Sequence, residues 1–140
     1  MNLFKKIIIL LVVLFTYACN SNASDIQNID NQELKQLIQQ GVPLVDVRTI
    51  SEWKKTGIVE DSHLLTFYDE QGRYNLDKWL ADLSEIANKD QPVILICHAG
   101  VRSKKIAKYL VKNADYKSVY NVKKGIKRWI KDKNPTVALQ

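Results

Sequence analysis

Cysteine is almost missing from this 140-residue chain, which has only Cys19 and Cys97. Two thiols so far apart, one of them within the first twenty residues, do not make a disulfide framework. They also deny Cys97 the second thiol that a disulfide-cycling reductase needs. Histidine is equally scarce, with His63 and His98 alone. A metal site would have to rest on Cys97, His98 and His63; adjacent ligands chelate poorly, and few other donors stand at metal spacing. No metal and no cofactor is expected. Long apolar runs are lacking too. The longest, Ile7 to Phe15, has nine residues, against the roughly 20 that a membrane-spanning helix requires. There are no internal repeats, no low-complexity tract beyond Asn20 to Ser24, and no nucleic-acid motif.

What is present divides the chain in two. Lys5 and Lys6 followed by the nine-residue apolar run have the form of a secretory signal, expected over residues 1–18. Thr16-Tyr17-Ala18-Cys19 is similar to a bacterial lipoprotein box, which makes Cys19 a candidate lipid anchor and residues 19–24 a polar tether. Cleavage after Ala23, with Ser21 and Ala23 as the small pair, is the competing reading. Either places the protein outside the cytoplasm, in the periplasm, and the first ties it to a membrane. Residues 25–135 remain for a single domain with a full core. Removing Lys5 and Lys6 leaves nineteen basic against fifteen acidic residues, a net +4. Ten lysines lie between Lys104 and Lys133. An exported protein meets little nucleic acid, so this basic stretch reads as a solvated helix face that attracts anions.

Within the domain, turn and cap residues mark an alternation of strands and helices. Asp25 to Ile29 reads as a strand. Asp30 and Glu33 form a capping box for a helix that turns Leu34, Leu37 and Ile38 inward and ends before Gly41. Pro43 to Val47 is an apolar strand broken only by Asp46. Thr49 and Glu52 make a second capping box, and the helix they open stops near Gly57. Ser62 to Phe67 reads as a third strand, and Asp69 to Arg73 as a polar turn. Leu76, Leu80, Leu83 and Ile86 stripe a helix, with Trp79 beside the stripe. Val93 to Ile96 is the next strand, followed by a helix from Ser103 burying Ile106, Ala107 and Leu110. Ser118 to Val122 and a helix carrying Ile126, Trp129 and Ile130 close the domain. Apolar strands alternating with helices predict an α/β fold, a parallel sheet with helices on both faces. Ligands of such folds bind beyond the carboxyl ends of the strands, where Cys97, Asp46 and Arg48 all fall.

Cys97 is the residue that points to chemistry. Four strand residues deliver it to a short loop, and a helix follows at once. Loop amides and the positive end of that helix favour a thiolate, and Arg102 adds a fixed cation, so Cys97 reads as a nucleophile without a dedicated base. Asp46 and Arg48 stand two apart on a strand, hence on one side, where an ion pair or a brace for the loop is expected. Glu52 is expected to pair with Arg48 or to cap its helix. His98 reads as loop wall or substrate contact rather than as a base, because neighbouring loop residues rarely point together.

The run Cys97-His98-Ala99-Gly100-Val101-Arg102-Ser103 resembles the active-site loop of the rhodanese family of sulfurtransferases, Cys-x-x-Gly-x-Arg-Ser. Asp46-Val47-Arg48 with Glu52-Trp53 resembles that family's Asp-Val-Arg-x-x-x-Glu-aromatic signature. Asn121 to Ile126 with Trp129 resembles its closing Leu-x-Gly-Gly-x-x-x-Trp element. The resemblance covers about Ile26 to Lys131 and implies a five-stranded parallel sheet. It also implies a Cys97 persulfide held by the amides of residues 98–103. The expected donor is thiosulfate or a persulfide, with Arg102 orienting the anion and Ser103 capping the following helix. The expected acceptor is a thiol or cyanide. Cysteine phosphatases use Cys-x5-Arg, whose extra residue makes room for phosphate; Cys-x4-Arg suits one sulfur atom. A persulfide carrier serving a partner protein, with little turnover of free thiosulfate, is the alternative. Two departures stand out: His63 lies beyond the usual Gly-His-Ile place, and Lys124-Gly125 replaces the paired glycines.

Overall fold

The computed structural model describes residues 25–139, so the expected signal segment, Cys19 and the tether lie outside the described residues. The chain runs β1 (Gln27–Ile29), α1 (Asn31–Gln39), β2 (Leu44–Asp46), α2 (Ile50–Thr56), β3 (His63–Leu64), α3 (Leu76–Ile86), β4 (Val93–Ile96), α4 (Val101–Asn113), β5 (Val119–Val122) and α5 (Gly125–Lys131). The five strands pair in the order β1-β5-β4-β2-β3, all parallel. β4 is therefore central, and its four residues are fully buried. Burying aliphatic side chains of this size contributes about 1.5–3 kcal/mol each.

Alternation along the strands divides the core. Val45, Leu95 and Cys97 pack with Trp79 and Leu83 of α3 and with Ile106 and Leu110 of α4. Leu44, Ile94 and Ile96 pack on the other face with Leu34 of α1 and with Ile126 and Trp129 of α5. The expected α/β architecture, a parallel sheet with helices on both faces, is the one found. Both capping boxes form: Asp30 accepts from the Gln32 and Glu33 amides, and Thr49 from that of Glu52. Each cap is worth about 1 kcal/mol of helix stability.

Four details differ from the reading of the sequence. Regular pairing in β3 is confined to His63 and Leu64, although Leu65 and Phe67 still donate to the carbonyls of Asp46 and Val47. As an edge strand it answers to one neighbour only, and just beyond it the Thr66 hydroxyl donates to the Arg48 carbonyl at 2.8 Å. In α3 the buried line runs through Trp79 and Leu83, so Trp79 is central to the stripe rather than beside it; its indole N–H reaches the Leu65 carbonyl at 3.1 Å. Helix α4 begins at Val101, two residues before Ser103. Ile130 is exposed, because Ile126 and Trp129 already fill the space under α5.

Candidate active site

The parallel order brings the carboxyl ends of β2, β4 and β5 side by side, with Asp46 opposite Ile96 and Asn121 opposite Leu95. Cys97 follows β4 and is 1% exposed. Its sulfur receives the Gly100 amide at 3.1 Å, and the Ser103 hydroxyl oxygen lies 3.2 Å away. Among the loop amides of the described residues, Gly100 is the one at hydrogen-bonding distance. Gly100 takes φ +83° and a Cβ there would stand 2.7 Å from the Lys124 amide nitrogen, so the turn under the sulfur requires glycine.

Ser103 was expected to cap α4, and it does not. The cap position is Gly100, which has no side chain to offer, and Ser103 sits within the first turn. Its hydroxyl points back to the sulfur and to Asn121 Oδ1, 2.6 Å away. One hydroxyl proton serves one acceptor at a time. With a neutral thiol, S–H is able to donate to Ser103 while Ser103 donates to Asn121; with a thiolate, the Ser103 proton turns to sulfur. Asn121 in turn donates to Asn28 Oδ1 at 2.8 Å. Asn121 was not singled out by sequence reasoning as a site residue. The available signal was a polar residue, 2% exposed, in the otherwise apolar end of β5.

The helix ends are treated unequally. Helices α1, α2 and α3 each have a side-chain cap, whereas α4 and α5 have none. The first amides of α5 are met by the loop itself: Ile126 donates to the Cys97 carbonyl at 2.9 Å and Lys127 to that of His98 at 3.0 Å. Helix α4 opens beneath the loop without a side-chain acceptor, and its amides and dipole make that end favourable to an anion.

Arg102 is held by Glu52, which is a correction to the expected Arg48 partnership. Two guanidinium nitrogens reach the carboxylate at 2.5 and 2.9 Å. Glu52 also caps α2 as expected, accepting the Thr49 amide at 3.0 Å. Burial alone would raise its pKa, but the bonds from Arg102 and the Thr49 amide, with the charges of Arg102 and Arg48, bring it down to about 2. The same hydrogen bond with Glu52 raises that of Arg102. Asp46 and Arg48 form the expected ion pair, 2.7 Å apart and fully buried. Arg48 further donates to Thr56 Oγ1 and the Gly57 carbonyl, at 2.7 and 2.9 Å. Strand β2 is thereby tied to α2, and α2 to the loop through Glu52 and Arg102.

Glu52→Gln would weaken this clamp by about 1–2 kcal/mol near neutral pH, as expected for a charge-assisted bidentate pair. The depressed pKa sets the sign: the contribution is full above the usual 4.5 and disappears as pH falls toward about 2. Melting curves of the two proteins should therefore converge across that interval. A Tm difference that stays constant with pH would exclude the carboxylate as the stabilising group.

His98, Ala99 and Val101 are exposed at the loop rim. The Cys97 sulfur is supported by Gly100 and Ser103, and no hydrogen bond from the His98 side chain is found among the described residues. No group of three His, Cys, Asp or Glu side chains able to hold a metal occurs among them either.

A model of the rhodanese-like domain matches residues 30–132. The chain belongs to the rhodanese-like domain family. Relatives include the rhodanese-like domain-containing protein 17 of Arabidopsis thaliana, 29% identical with 91% of this chain and 85% of that one covered. Thiosulfate sulfurtransferase 18 of the same plant is 30% identical over 79% and 83%. Thiosulfate sulfurtransferase GlpE of Haemophilus influenzae is 27% identical over 78% and 92%. Among solved structures, a rhodanese-like domain protein of Staphylococcus aureus superposes with a TM-score of 0.56 at 28% identity, over 74% and 91% of the two chains. The polysulfide-sulfur transferase homodimer of Wolinella succinogenes shares the fold, with a TM-score of 0.62 at 17% identity over 100% and 96%.

Proposed function

We propose that this protein is a sulfurtransferase that carries sulfane sulfur on Cys97, from thiosulfate or a persulfide to a thiol or cyanide. The observation that carries the reading is the convergence of the Gly100 amide, the Ser103 hydroxyl and the uncapped start of α4 on one buried sulfur. Two relatives named as thiosulfate sulfurtransferases support it.

In the first half-reaction the Cys97 thiolate attacks the outer sulfur of thiosulfate. A bond forms from Sγ to that sulfur, and the sulfur–sulfur bond to sulfite breaks, its electron pair leaving with sulfite. The persulfide carries negative charge on its terminal sulfur, to be held by the amides of residues 98–103 and by the α4 dipole, as an oxyanion hole holds oxygen. Arg102, held in place by Glu52, which balances its charge in the resting protein, is placed to orient the anionic donor. In the second half-reaction cyanide attacks the terminal sulfur, thiocyanate leaves, and the electron pair of the broken bond returns to Cys97 as thiolate. Asp46, Arg48 and Glu52 act at one remove, by fixing the loop.

A covalent intermediate requires donor and acceptor to react in turn. Initial rates of thiocyanate formation, with thiosulfate varied at several cyanide concentrations, should give parallel double-reciprocal lines. Lines that intersect to the left of the axis would mean both substrates bind before any transfer, and the persulfide route would be wrong. We further place the domain outside the cytoplasm, tethered by a lipid on Cys19. The lipid on Cys19 would be the anchor, so Cys19→Ala should be released from membranes on fractionation. A native chain that is soluble and begins at Ser24 would disprove the anchor.

A further inference from the structure

Seven lysines stand beside the Cys97 loop. Lys104, Lys105 and Lys108 come from α4, Lys123 and Lys124 from the turn after β5, and Lys127 and Lys131 from α5. All are exposed, and none takes part in an ion pair among the described residues. They line two depressions, of about 570 and 260 Å³, that share Ala99 and Lys124 and contain no aspartate or glutamate. Residues 25 onward carry a net +4, so seven positive charges here leave the rest of the domain net negative. The positive charge is concentrated on the α4 and α5 side of the loop, with Glu52 on its α2 side.

Two apolar features accompany it. Val101, at the loop rim, is 66% exposed. Beside Lys105, Phe67, Tyr68, Tyr74 and Tyr109 border a depression of about 190 Å³, the size of one or two side chains. Apolar anchors within a charged surround are the usual anatomy of a protein interface.

We propose that this face docks a partner protein presenting a thiol among aspartate and glutamate side chains; the inference rests on the sulfurtransferase reading and names the acceptor. The lysines occupy helices on opposite faces of the sheet, too broad an array for one small anion. An anionic bilayer would match the charge but not the chemistry. Cys97 is 1% exposed, so the acceptor sulfur must project into the loop, which a side chain on a protein surface does and a lipid surface does not. The acceptor thiol loses its proton to solvent, and its sulfur attacks the terminal sulfur of the Cys97 persulfide. A new sulfur–sulfur bond forms, the bond to Cys97 breaks, and its electron pair remains on Cys97 as thiolate. Electrostatic steering speeds the encounter.

The test uses the full chain and a 12-residue fluorescent peptide with one central cysteine flanked by glutamates, beside the same peptide with glutamines. Anisotropy should show the glutamate peptide binding at least about tenfold more tightly in about 0.01 M salt. The advantage should shrink strongly by about 0.1 M, as the screening length falls from about 30 to about 10 Å. Replacing Lys105, Lys108, Lys127 and Lys131 together with glutamine should remove the preference while the melting temperature is retained. The persulfide-loaded protein should pass its sulfur to the two peptides in the same order of rates. Equal binding of both peptides, or a preference indifferent to the four substitutions, overturns the proposal. Lysine-dependent binding to phosphatidylglycerol vesicles without a peptide preference overturns it as well, and assigns the face to a membrane. Binding decides the docking surface, and transfer to cyanide decides the reading beneath it, so each can fail without the other.

Discussion

Cys97→Ser is expected to abolish thiocyanate formation from thiosulfate and cyanide, a loss of order 10⁴-fold or more, while the domain stays folded. The loss is large because serine at the same place offers neither a stable anionic nucleophile nor a sulfur to form the persulfide. The fold should survive because a serine oxygen is able to accept the Gly100 amide that now donates to Sγ. The substitution changes one buried atom, and the expected stability cost is about 1 kcal/mol. Thermal melting with an activity assay separates the two effects. Substantial residual activity in a folded Cys97→Ser protein would remove the cysteine from the chemistry.

Gly125→Ala should act in the opposite way, through the fold first. Gly125 opens α5 with φ +57°, and an added Cβ would press on the Cys97 carbonyl oxygen and stand 2.6 Å from the carbonyl carbon and oxygen of His98. Left-handed backbone strain and a contact with main chain that cannot move aside add up to about 3–5 kcal/mol. For a domain of this length that is roughly 10–20 °C in Tm. The two α5 amides that hold the Cys97 and His98 carbonyls would be displaced together, so the remaining folded protein should also lose activity. A melting temperature within a few degrees of the native one would show that the loop yields where the packing says it does not.

Much of this was legible locally. The capping boxes at Asp30 and Thr49 depend on residues three apart, and both form as read. The apolar tetrapeptide Val93 to Ile96 was identifiable as a buried parallel strand because no polar position interrupts it. The loop after it was recognisable from one cysteine, one glycine and one arginine in fixed register. What escaped reading depends on which strands become neighbours. Glu52 and Arg102 are fifty positions apart, and their clamp exists because β2 lies against β4; from sequence spacing alone, Arg48 was the nearer cation. Ser103 and Asn121 meet because β5 flanks β4 on its other side. Nor does a strand's pattern reveal that an edge position such as β3 keeps only two regular residues. Lys124 shows the limit of motif comparison: it adopts φ 66° despite its side chain, whereas Gly125, against the Cys97 and His98 main chain, has no room for one.

Sulfur transfer by this protein turns on a sulfur atom carried by Cys97. Intact-mass measurement of the protein after incubation with thiosulfate, followed by proteolytic mapping, tests it most directly. One added sulfur, about 32 Da, is expected on the peptide containing Cys97, with release of an equivalent of sulfite and loss of the added mass when cyanide is supplied. An unchanged mass under conditions that support thiocyanate formation, or an added sulfur on Cys97→Ser, would contradict it.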